Sequence, residues 1–415
     1  MSDGANPDKP NVLLLAVDSL RADAVFGDRI ATPNFDRYAE EGTAFTQCVS
    51  TTTSTTPSFS SIFTGGYPPK HGVRGLQGYR LRNDLTTMAE AFSAGGYHTH
   101  AEATGPLLPE TGILRGFEDP RHRAGYKQPF FVWRDEVVDR MRSYQDPWFL
   151  MLHIWEVHRP YRAPPDFNKR WDKAGYEAAV SATDEWLTPV FEAAGPNTIV
   201  VITGDHGEDY PDTPFEQRVL RVARRSRSKL KLGKWFPWLD KRMSSLVVGH
   251  GFALWEHLVR VPLIVAGPGI TTKRIDEQVR HVDLFPTLAD MCGLPAPEGI
   301  DGRSLKPLLD GRDLPAEPAY MEAVGVKLEG KRIEGARTPE WKLLRPGGGR
   351  PALYKLDAEG GPDEKRNLYS RFPEVARPLD EFIAQVRASE VVAESGMTGD
   401  EEALVEQHLR DLGYL

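Results

Sequence analysis

The sequence has few cysteines, no long apolar run and no excess of basic residues. Its two cysteines, Cys48 and Cys292, lie far apart and form no Cys-x-x-Cys motif, which excludes a disulfide framework and fits a reducing compartment. We identify no signal peptide and no apolar stretch approaching the ~18 residues of a transmembrane helix. The net charge of −8 argues against nucleic-acid binding. We therefore expect a cytoplasmic protein that binds no nucleic acid.

The sequence does contain a regular alternation of apolar strands and helices. Hydrophobic content of 40% and charged content of 27% are typical of a globular protein, and 415 residues can bury a large core. Near-continuous apolar runs at 11–18, 148–155, 197–203 and 261–266 predict buried strands, and helical patterns separate them. The sequence therefore predicts an α/β fold with a large, mostly parallel (mixed) sheet between helices.

The pattern changes near residue 315. Short apolar segments separated by Gly- and Pro-rich turns follow, and then two predicted helices. We predict a larger domain over residues 1–313, with an insertion at about 209–249, and a small C-terminal α+β subdomain over residues 314–415. We expect the subdomain to be architectural and to close one wall of a cleft.

Ionisable residues follow three of the predicted strands. Asp18 follows the first strand, Glu156 and His158 follow the second, and Asp205 and His206 follow the third. In open α/β sheets, ligands bind outside the carboxyl ends of the strands. A single carboxylate in this place is commonplace as a helix cap. Three strand ends that are all rich in metal-ligand residue types favour a functional site.

The segment 50–72 (STTTSTTPSFSSIFTGGYPPKHG) places a run of hydroxyl residues directly before a predicted helix. Pro57 suits the first turn of that helix, and Phe59, Ile62 and Phe63 follow with helical spacing. A hydroxyl at a helix N-terminus lies in a positive local field, which suits attack on an anionic ester. Taken alone, the segment is more typical of an ordinary Thr-rich loop, so its interpretation depends on the rest of the chain.

Motifs along most of the chain resemble those of the sulfatase branch of the alkaline-phosphatase superfamily. They are NVLLLAVDSLRAD at 11–23, TPNFDRYAEEGTAF at 32–45, TTPSFSSIFTG at 55–65, LHIWEVHRPY at 152–161, TGDHGE at 203–208, GHG at 249–251 and VDLFPTLADMCGLPAPEGIDGRSLKPL at 282–308. Each motif is weak alone, but together and in this order they make a strong match. The resemblance implies the α/β fold of that superfamily, a divalent metal ion and an anionic ester substrate.

The nucleophile motif departs from that of the sulfatases it resembles. Thr55 stands where they have a Cys or Ser that is oxidised to formylglycine, Phe59 replaces their Arg, and the segment 102–116 contains no Lys. A threonine cannot become that aldehyde, so we expect no formylglycine. Threonine at this position resembles nucleotide phosphodiesterases and phosphoglycerol or phosphoethanolamine transferases.

We therefore predict a metal-dependent hydrolase of phosphate esters, in particular of phosphodiesters. Three alternatives stay open: a sulfuric-ester hydrolase, a phosphoryl-group transferase that uses the same nucleophile, and a catalytically degenerate sulfatase-like binding protein. Loss of the Arg and the Lys is also what decay of an active site would produce.

The resemblance implies a role for each of the metal-site residues. Asp18, Asp205, His206 and the Thr55 oxygen would hold one divalent ion, for which Zn or Mn is favoured, with Mg or Ca as alternatives. Thr55 would be the nucleophile. The ion would activate its hydroxyl, because a hydroxyl needs metal coordination to react at neutral pH.

Two further histidines are predicted on the far side of the ester. His158 and His250 would bind an ester oxygen or protonate the leaving group. Together with Glu156 they could instead hold a second metal ion. A structural alternative for His158 is a hydrogen bond to the nearby backbone.

The insertion at 209–249 lies between two predicted site residues and carries ten basic residues against four acidic ones. Within it, residues 215–242 combine apolar residues at helical spacing with two tryptophans. This composition is typical of a basic amphipathic helix on an anionic membrane surface. A lid that packs on the body of the protein is the alternative that we favour. In either case, we expect the insertion to recognise an anionic or lipid-linked substrate, with a peripheral membrane location in the first case.

Overall fold

A computed structural model describes residues 9–123, 130–161, 163, 175–210, 251–326, 332–356, 364, 366–391, 396–412 and 414. His250 and almost all of the predicted insertion lie outside these residues. Within the described residues, no helix combines the length and the apolar composition needed to cross a membrane. The cytoplasmic location stays a prediction.

Eight strands form a large mixed sheet in the order β4-β3-β5-β1-β6-β7-β2-β8. The strands are β1 (Asn11–Val17), β2 (Thr43–Val49), β3 (His98–Ala103), β4 (Asp119–His122), β5 (Trp148–Ile154), β6 (Thr198–Gly204), β7 (Arg260–Ala266) and β8 (Lys273–Arg280). Strands β4, β3, β5, β1 and β6 run parallel to one another, and β7 is antiparallel to both β6 and β2. The centre of the sheet is therefore parallel.

Helices cover both faces of this sheet. They are α1 (Ala22–Phe26), α2 (Pro33–Glu41), α3 (Thr55–Thr64), α4 (Pro68–His71), α5 (Met88–Ala94), α6 (Phe130–Met141), α7 (Tyr176–Trp186), α8 (Thr188–Ala194), α9 (Glu256–Val259), α10 (Leu284–Met291) and α11 (Lys306–Leu309). Helices α3, α5 and α10 pack on one face, and α2, α6, α7 and α8 pack on the other.

The central strand β1 shows how the sequence produces this layered core. All seven of its residues are buried. Val12, Leu14 and Ala16 join the core on one face of the sheet, whereas Leu13 and Leu15 join the core on the other. Because side chains alternate along a strand, a continuous apolar run is what a strand covered on both faces requires.

The C-terminal part of the chain forms a second, antiparallel sheet in the order β12-β11-β10-β9. Its strands are β9 (Ala319–Ala323), β10 (Ile333–Arg337), β11 (Trp341–Pro346) and β12 (Ala352–Lys355), and the helices after it are α12 (Pro373–Ala388) and α13 (Gly399–Asp411). Helix α12 packs on this sheet through Ala376, Leu379 and Ile383.

A buried network of charged and polar side chains joins the two sheets. Arg337 of β10 is fully buried and donates to Glu256 (2.5 and 2.9 Å), to Gln278 of β8 (2.7 Å) and to Gln47 of β2 (2.6 Å). Burial alone raises the pKa of Glu256, but the charges of Arg337 and Lys342 outweigh it and bring the pKa down to about 2. The carboxylate is therefore ionised at neutral pH and holds the small sheet against the large one.

The predicted fold class is confirmed: a mixed, mostly parallel sheet lies between helices, and a small α+β unit follows. Strands β2, β4 and β8 are absent from the sequence prediction. The two outer strands, β4 and β8, expose polar side chains and lack the apolar run on which the prediction depends. The sequence pattern over 177–193 predicts one helix, whereas the structure has two, α7 and α8, which meet at Leu187, two residues before Pro189. The domain boundaries at 313 and 314 stay a prediction.

We expect Glu256→Gln to lower the free energy of unfolding by about 3–5 kcal/mol at neutral pH, because it leaves the buried Arg337 without its counter-charge. The folded pKa of Glu256, about 2, lies below the ordinary value of 4.5. The stabilisation is therefore fully present above pH ~4.5 and is lost as the pH falls through ~2. Urea unfolding at several pH values should show wild type and variant converging in acid.

The matched control for this experiment is Glu381→Gln, which removes an exposed carboxylate of α12 that lies 3.7 Å from Arg377. We expect no measurable change in this variant. Equal stability of Glu256→Gln and wild type at neutral pH would contradict the role of the network.

Candidate metal centre

The carboxyl ends of β5, β1 and β6 meet at one edge of the large sheet, because β1 pairs in parallel with both of its neighbours. Asp18 directly follows β1, His153 lies at the end of β5, and Asp205 directly follows β6. One ligand atom from each of these three side chains lies within 4.8 Å of the other two. The strand pairing thus brings together three potential metal ligands that are far apart in the sequence.

The electrostatics of this cluster suit a cation. Asp18, His153 and Asp205 are all fully buried. Burial raises the pKa of Asp18 well above its ordinary value, and the neighbouring Asp205 carboxylate raises it further. Asp205 Oδ2 and His153 Nε2 also find no hydrogen-bond partner within the described part of the chain. Two buried carboxyl groups beside an imidazole nitrogen without a hydrogen bond destabilise the folded protein unless a ligand binds them. A divalent ion would stabilise all three groups. These residues could therefore hold a metal ion.

Two histidines present Nε2 to this cluster. His153 Nδ1 lies 2.8 Å from the Thr104 hydroxyl and 3.2 Å from the Thr104 carbonyl oxygen, and His206 Nδ1 lies 2.8 Å from the Gly207 carbonyl oxygen. Because a carbonyl only accepts, each Nδ1 carries the proton, and each Nε2 has a lone pair. His153 Nε2 lies 3.7 Å from Asp18 Oδ2, and His206 Nε2 lies 4.0 Å from Asp18 Oδ1. Burial lowers the pKa of His153 to about 4, so its ring is neutral and suited to ligation.

Thr55 lies beside the same cluster at the start of helix α3. Its fully buried hydroxyl donates to Asp18 Oδ2 at 3.2 Å. Ser58, one turn along the helix, donates to the Asp205 carbonyl oxygen at 2.7 Å and so ties the helix to the end of β6. The structure thus brings together Asp18, Thr55, Asp205 and His206, the four residues of the predicted metal site. Their roles as ligands and nucleophile stay predictions.

His158 and Glu156 occupy different surroundings. The His158 ring stacks on Trp155 at 4.0 Å, and its Nε2 lies 3.0 Å from the Tyr414 hydroxyl. Glu156 accepts from Arg123 with both carboxylate oxygens, at 2.9 and 3.0 Å. The Glu156 carboxylate is thus neutralised by an arginine rather than directed at the cluster of Asp18, His153 and Asp205. A second metal at Glu156, His158 and His250 stays a prediction, and His250 is outside the described residues.

His153 is the functional candidate that the sequence prediction missed. The motif LHIWEVHRPY contains two histidines, and the resemblance directs attention to the second, His158. The available signal was position: the apolar run of β5 brings His153 to the sheet edge where Asp18 and Asp205 were already predicted.

The mixed α/β sheet between helices is a sulfatase-like fold, shared with a solved 2-O GAG sulfatase (TM-score 0.69, 21% identity) and a putative sulfatase of Bacteroides thetaiotaomicron (TM-score 0.71, 20% identity). The chain belongs to the sulfatase family, whose profile matches residues 10–294. A second profile, for the C-terminal region of N-sulphoglucosamine sulphohydrolase, matches residues 236–389. The recognition made from the sequence motifs is confirmed at this level.

Several named relatives resemble the chain over most of its length. An ulvan-active sulfatase of Formosa agariphila is 24% identical, covering 99% of this chain and 85% of the relative. An N-acetylgalactosamine-6-O-sulfatase of Bacteroides thetaiotaomicron is 22% identical, covering 92% and 94%. The solved phosphonate monoester hydrolase of Agrobacterium radiobacter superposes with a TM-score of 0.70 at 18% identity, covering 92% of this chain and 96% of that one. This last likeness shows the shared fold alone.

We expect His153→Ala to weaken the binding of Zn²⁺ or Mn²⁺ at least about tenfold, since loss of even a residue that only supports a metal ligand costs 10–100-fold. Competition with a chelator at neutral pH would measure the affinity. With Co²⁺ as a probe, the visible absorption spectrum should also change, because a nitrogen donor is lost.

His71→Gln is the matched control, since His71 is equally buried but bonds to Ser61 at 3.0 Å. Its metal affinity should match that of wild type. An unchanged affinity and Co²⁺ spectrum in His153→Ala would show that His153 is not a ligand.

Proposed function

We propose that the protein is a metal-dependent hydrolase of phosphate esters, in particular phosphodiesters, with Thr55 as its nucleophile. The observation that carries the proposal is the position of the Thr55 hydroxyl. It is buried in the first turn of α3 and lies 3.2 Å from Asp18, within the cluster that could hold a metal ion. A hydroxyl in this place is close to both the helix N-terminus and the ion that would activate it.

The neighbouring Phe59 supports a mechanism without formylglycine. Its fully buried ring packs edge-on against His153, with ring centroids 5.1 Å apart, and against Phe63 at 5.6 Å. An apolar ring cannot provide the positive charge of the sulfatase Arg that it replaces. The apolar ring of Phe59 thus occupies the place of that Arg, so other groups must bind the anionic ester.

The chemistry of the covalent intermediate favours phosphorus over sulfur. An alcohol nucleophile lacks the second hydroxyl through which a hydrated aldehyde could release sulfate, so water must attack the central atom of the intermediate. In the proposed reaction, the Thr55 oxygen attacks phosphorus, the bond to the leaving alcohol breaks, and the alcohol takes up a proton. Water then attacks the phospho-threonine, which releases a phosphomonoester and returns the Thr55 hydroxyl.

Asp18, Asp205, His206 and Thr55 would hold a divalent ion. His153 adds a second imidazole to this set, and two nitrogen donors favour Zn or Mn over Ca, whose protein ligands are oxygens. When bound, the ion lowers the pKa of the attacking hydroxyl and offsets the charge of the ester. His158 and His250 are assigned to the leaving-group side of the ester.

The comparisons support more than one ester class. Phosphonate monoester hydrolases share the fold, with TM-scores of 0.70 and 0.66. The named sequence relatives are sulfatases, and this favours sulfuric-ester hydrolysis as the second candidate function. A phosphoryl-group transferase would use the same Thr55 intermediate and pass it to an acceptor alcohol instead of water.

We expect Thr55→Ala to lower kcat on an aryl phosphodiester by at least about 10³-fold, since it removes the covalent route. Zn²⁺- or Mn²⁺-loaded enzyme should be assayed on aryl phosphodiester, phosphomonoester, phosphonate and sulfate substrates. Mass spectrometry of the rapidly quenched reaction should find phosphate on Thr55. Added glycerol would distinguish a transferase, which would form a glycerol phosphoester.

Thr56→Ser is the control, because Thr56 is the adjacent buried threonine and bonds weakly to the Pro106 carbonyl oxygen at 3.4 Å. It should retain wild-type activity. Turnover of the sulfate substrate above every phosphate ester would overturn the proposal in favour of sulfatase activity, and metal binding without any turnover would favour a degenerate binding protein.

The basic insertion is assigned a role in substrate access. The residues that flank it are anchored at the site: Glu208 is fully buried close to His206, and the Gly251 amide donates to the Thr53 hydroxyl at 3.1 Å, two residues before Thr55. Phe252 and Trp255, just after the insertion, expose 53% and 39% of their surface. They form an apolar surface on which the insertion could pack. A lid that contacts an anionic or lipid-linked substrate is the function that we propose for residues 215–242.

Replacing residues 215–242 by a short Gly/Ser linker should raise KM for a phospholipid substrate at least about tenfold and leave KM for a small aryl phosphodiester nearly unchanged. The replacement removes several Lys and Arg residues, and each such residue contributes about 1 kcal/mol to binding at an anionic surface. Kinetics on both substrates and co-sedimentation with anionic vesicles would measure this. Unchanged preference and unchanged vesicle binding would exclude a role for the insertion.

A further inference from the structure

Ser19, the residue after Asp18, has a backbone conformation that is rare for its type. Its φ is +64°, in the left-handed region, and among the described residues only Tyr161, at +56°, shares a positive φ without being a glycine. This conformation is unfavourable for a residue with a Cβ atom and persists only where surrounding contacts hold it. The contacts of Ser19 therefore indicate what the strained turn serves.

Ser19 contacts both acids of the candidate metal centre. Its amide donates to Asp205 Oδ1 at 3.0 Å, across to the end of the neighbouring strand β6. Its hydroxyl donates to Asp18 Oδ1 at 2.7 Å. All three residues are fully buried, so bulk water does not compete for these bonds. One residue thus holds the carboxyl groups at two strand ends.

These bonds decide which oxygen of Asp205 is left for a metal ion. Asp205 Oδ1 accepts from the Ser19 amide and also from the His206 amide, at 2.8 Å, which uses both of its lone pairs. Asp205 Oδ2 has no hydrogen-bond partner in the part of the chain that the structure describes, and it lies 3.4 Å from His206 Nε2. Oδ2 is therefore the oxygen that is free to bind an ion.

The Tyr176 phenol holds the Ser19 turn in place. Its hydroxyl donates to the Ser19 carbonyl oxygen at 2.9 Å and accepts from the Arg21 amide at 2.9 Å. Tyr176 is buried at the start of helix α7. Between these two bonds, the Leu20 carbonyl oxygen approaches Gly204 so closely that a Cβ atom on Gly204 would lie 2.4 Å from it. The turn is thus fixed by the phenol and by close packing on the end of β6.

We propose that Ser19 is a positioning residue of the metal centre and that Tyr176 locks it in the left-handed conformation. The inference rests on the metal site of the proposed function. Because φ sets the angle between the amide and the carbonyl of a residue, a large change of φ at Ser19 would break its bond to Asp205 or its bond to Tyr176. The Asp205 carboxyl group could then rotate, and the ion would lose a prearranged ligand.

The test measures how tightly the metal-free protein binds Zn²⁺ or Mn²⁺, by competition with a chelator. We expect Tyr176→Phe, which removes the hydroxyl and keeps the ring, to weaken binding about tenfold, as is usual when a group that supports a metal ligand is lost. The Tyr176 hydroxyl bonds to the backbone of residues 19 and 21 rather than to a ligand side chain, so the effect must pass through the turn. With Co²⁺ as a probe, the visible spectrum should change as well.

Tyr67→Phe is the matched control. The Tyr67 phenol is equally buried and also bridges two partners, the Pro318 carbonyl oxygen and Arg280, each at 3.4 Å. Both variants should lower the melting temperature, because each leaves buried polar groups without a bond. Only Tyr176→Phe should change the metal affinity. A lower melting temperature with an unchanged affinity in Tyr176→Phe would show that Tyr176 is merely structural and would overturn the proposal.

Two substitutions at Ser19 test the turn itself. Ser19→Gly and Ser19→Ala both remove the hydroxyl that bonds to Asp18, so both should weaken metal binding about tenfold or more. Glycine adopts a positive φ freely, whereas alanine does not. Metal-free Ser19→Gly should therefore melt at a higher temperature than Ser19→Ala and keep more of the metal affinity. Equal melting temperatures would refute the left-handed constraint.

Hydrogen exchange, followed by mass spectrometry, needs no ion. In the metal-free protein, the amides of Ser19 and Arg21 should exchange slowly in wild type and faster in Tyr176→Phe. Unchanged exchange would refute the lock. If wild type binds no metal ion, the metal centre and the proposed function fail, and the positioning role fails with them. If wild type binds the ion and Tyr176→Phe binds it equally well, only the positioning role fails.

Discussion

The parallel pairing of β5, β1 and β6 is the constraint on which the candidate site depends. Val17, the last residue of β1, is in register with Ile154 of β5 and with Gly204 of β6. Strands about 4.8 Å apart place the residues at their ends within reach of a single ion. A shift of one residue in either pairing would turn the side chain at that strand end to the other face of the sheet. Asp18 and Asp205 are therefore held together by the register of the apolar core.

At the same edge of the sheet, buried carboxyl groups lie close together, and the packing of the rest of the fold must offset this unfavourable interaction. Burial and the neighbouring Asp205 carboxylate both raise the pKa of Asp18, and the packing of helices on both faces of the sheet keeps out the water that would otherwise solvate this carboxyl group. Other buried carboxylates are neutralised by an arginine, as Glu256 is by Arg337 and Glu156 is by Arg123. These buried acids are paired with arginines, whereas at the sheet edge two acids face each other, and this contrast is what makes the edge a candidate ligand site.

Much of the site could be predicted because its residues lie in contiguous motifs. Asp18 and Asp205 each follow an apolar run, and Thr55 lies at the start of a helix with a proline in its first turn, so local pattern predicts where each lies. Only the order of motifs along the whole chain singled out Thr55 as a site residue. His153 was missed because its importance comes from the neighbouring strand rather than from its own motif. The pairing of Glu156 with Arg123 was likewise invisible, since the two side chains meet only when β5 and the end of β4 are folded.

The sequence by itself determined the α/β class and the sulfatase family, because these depend on residue identity and on periodicity along the chain, and it predicts that Thr55 stands in the position of the formylglycine residue. Only the tertiary structure decided which side chains share a site. It placed Thr55 on Asp18, brought His153 into the cluster and set Tyr414 on His158. The physical reason is that strand register and helix docking are fixed by apolar packing summed over the whole core, which no local stretch of sequence specifies.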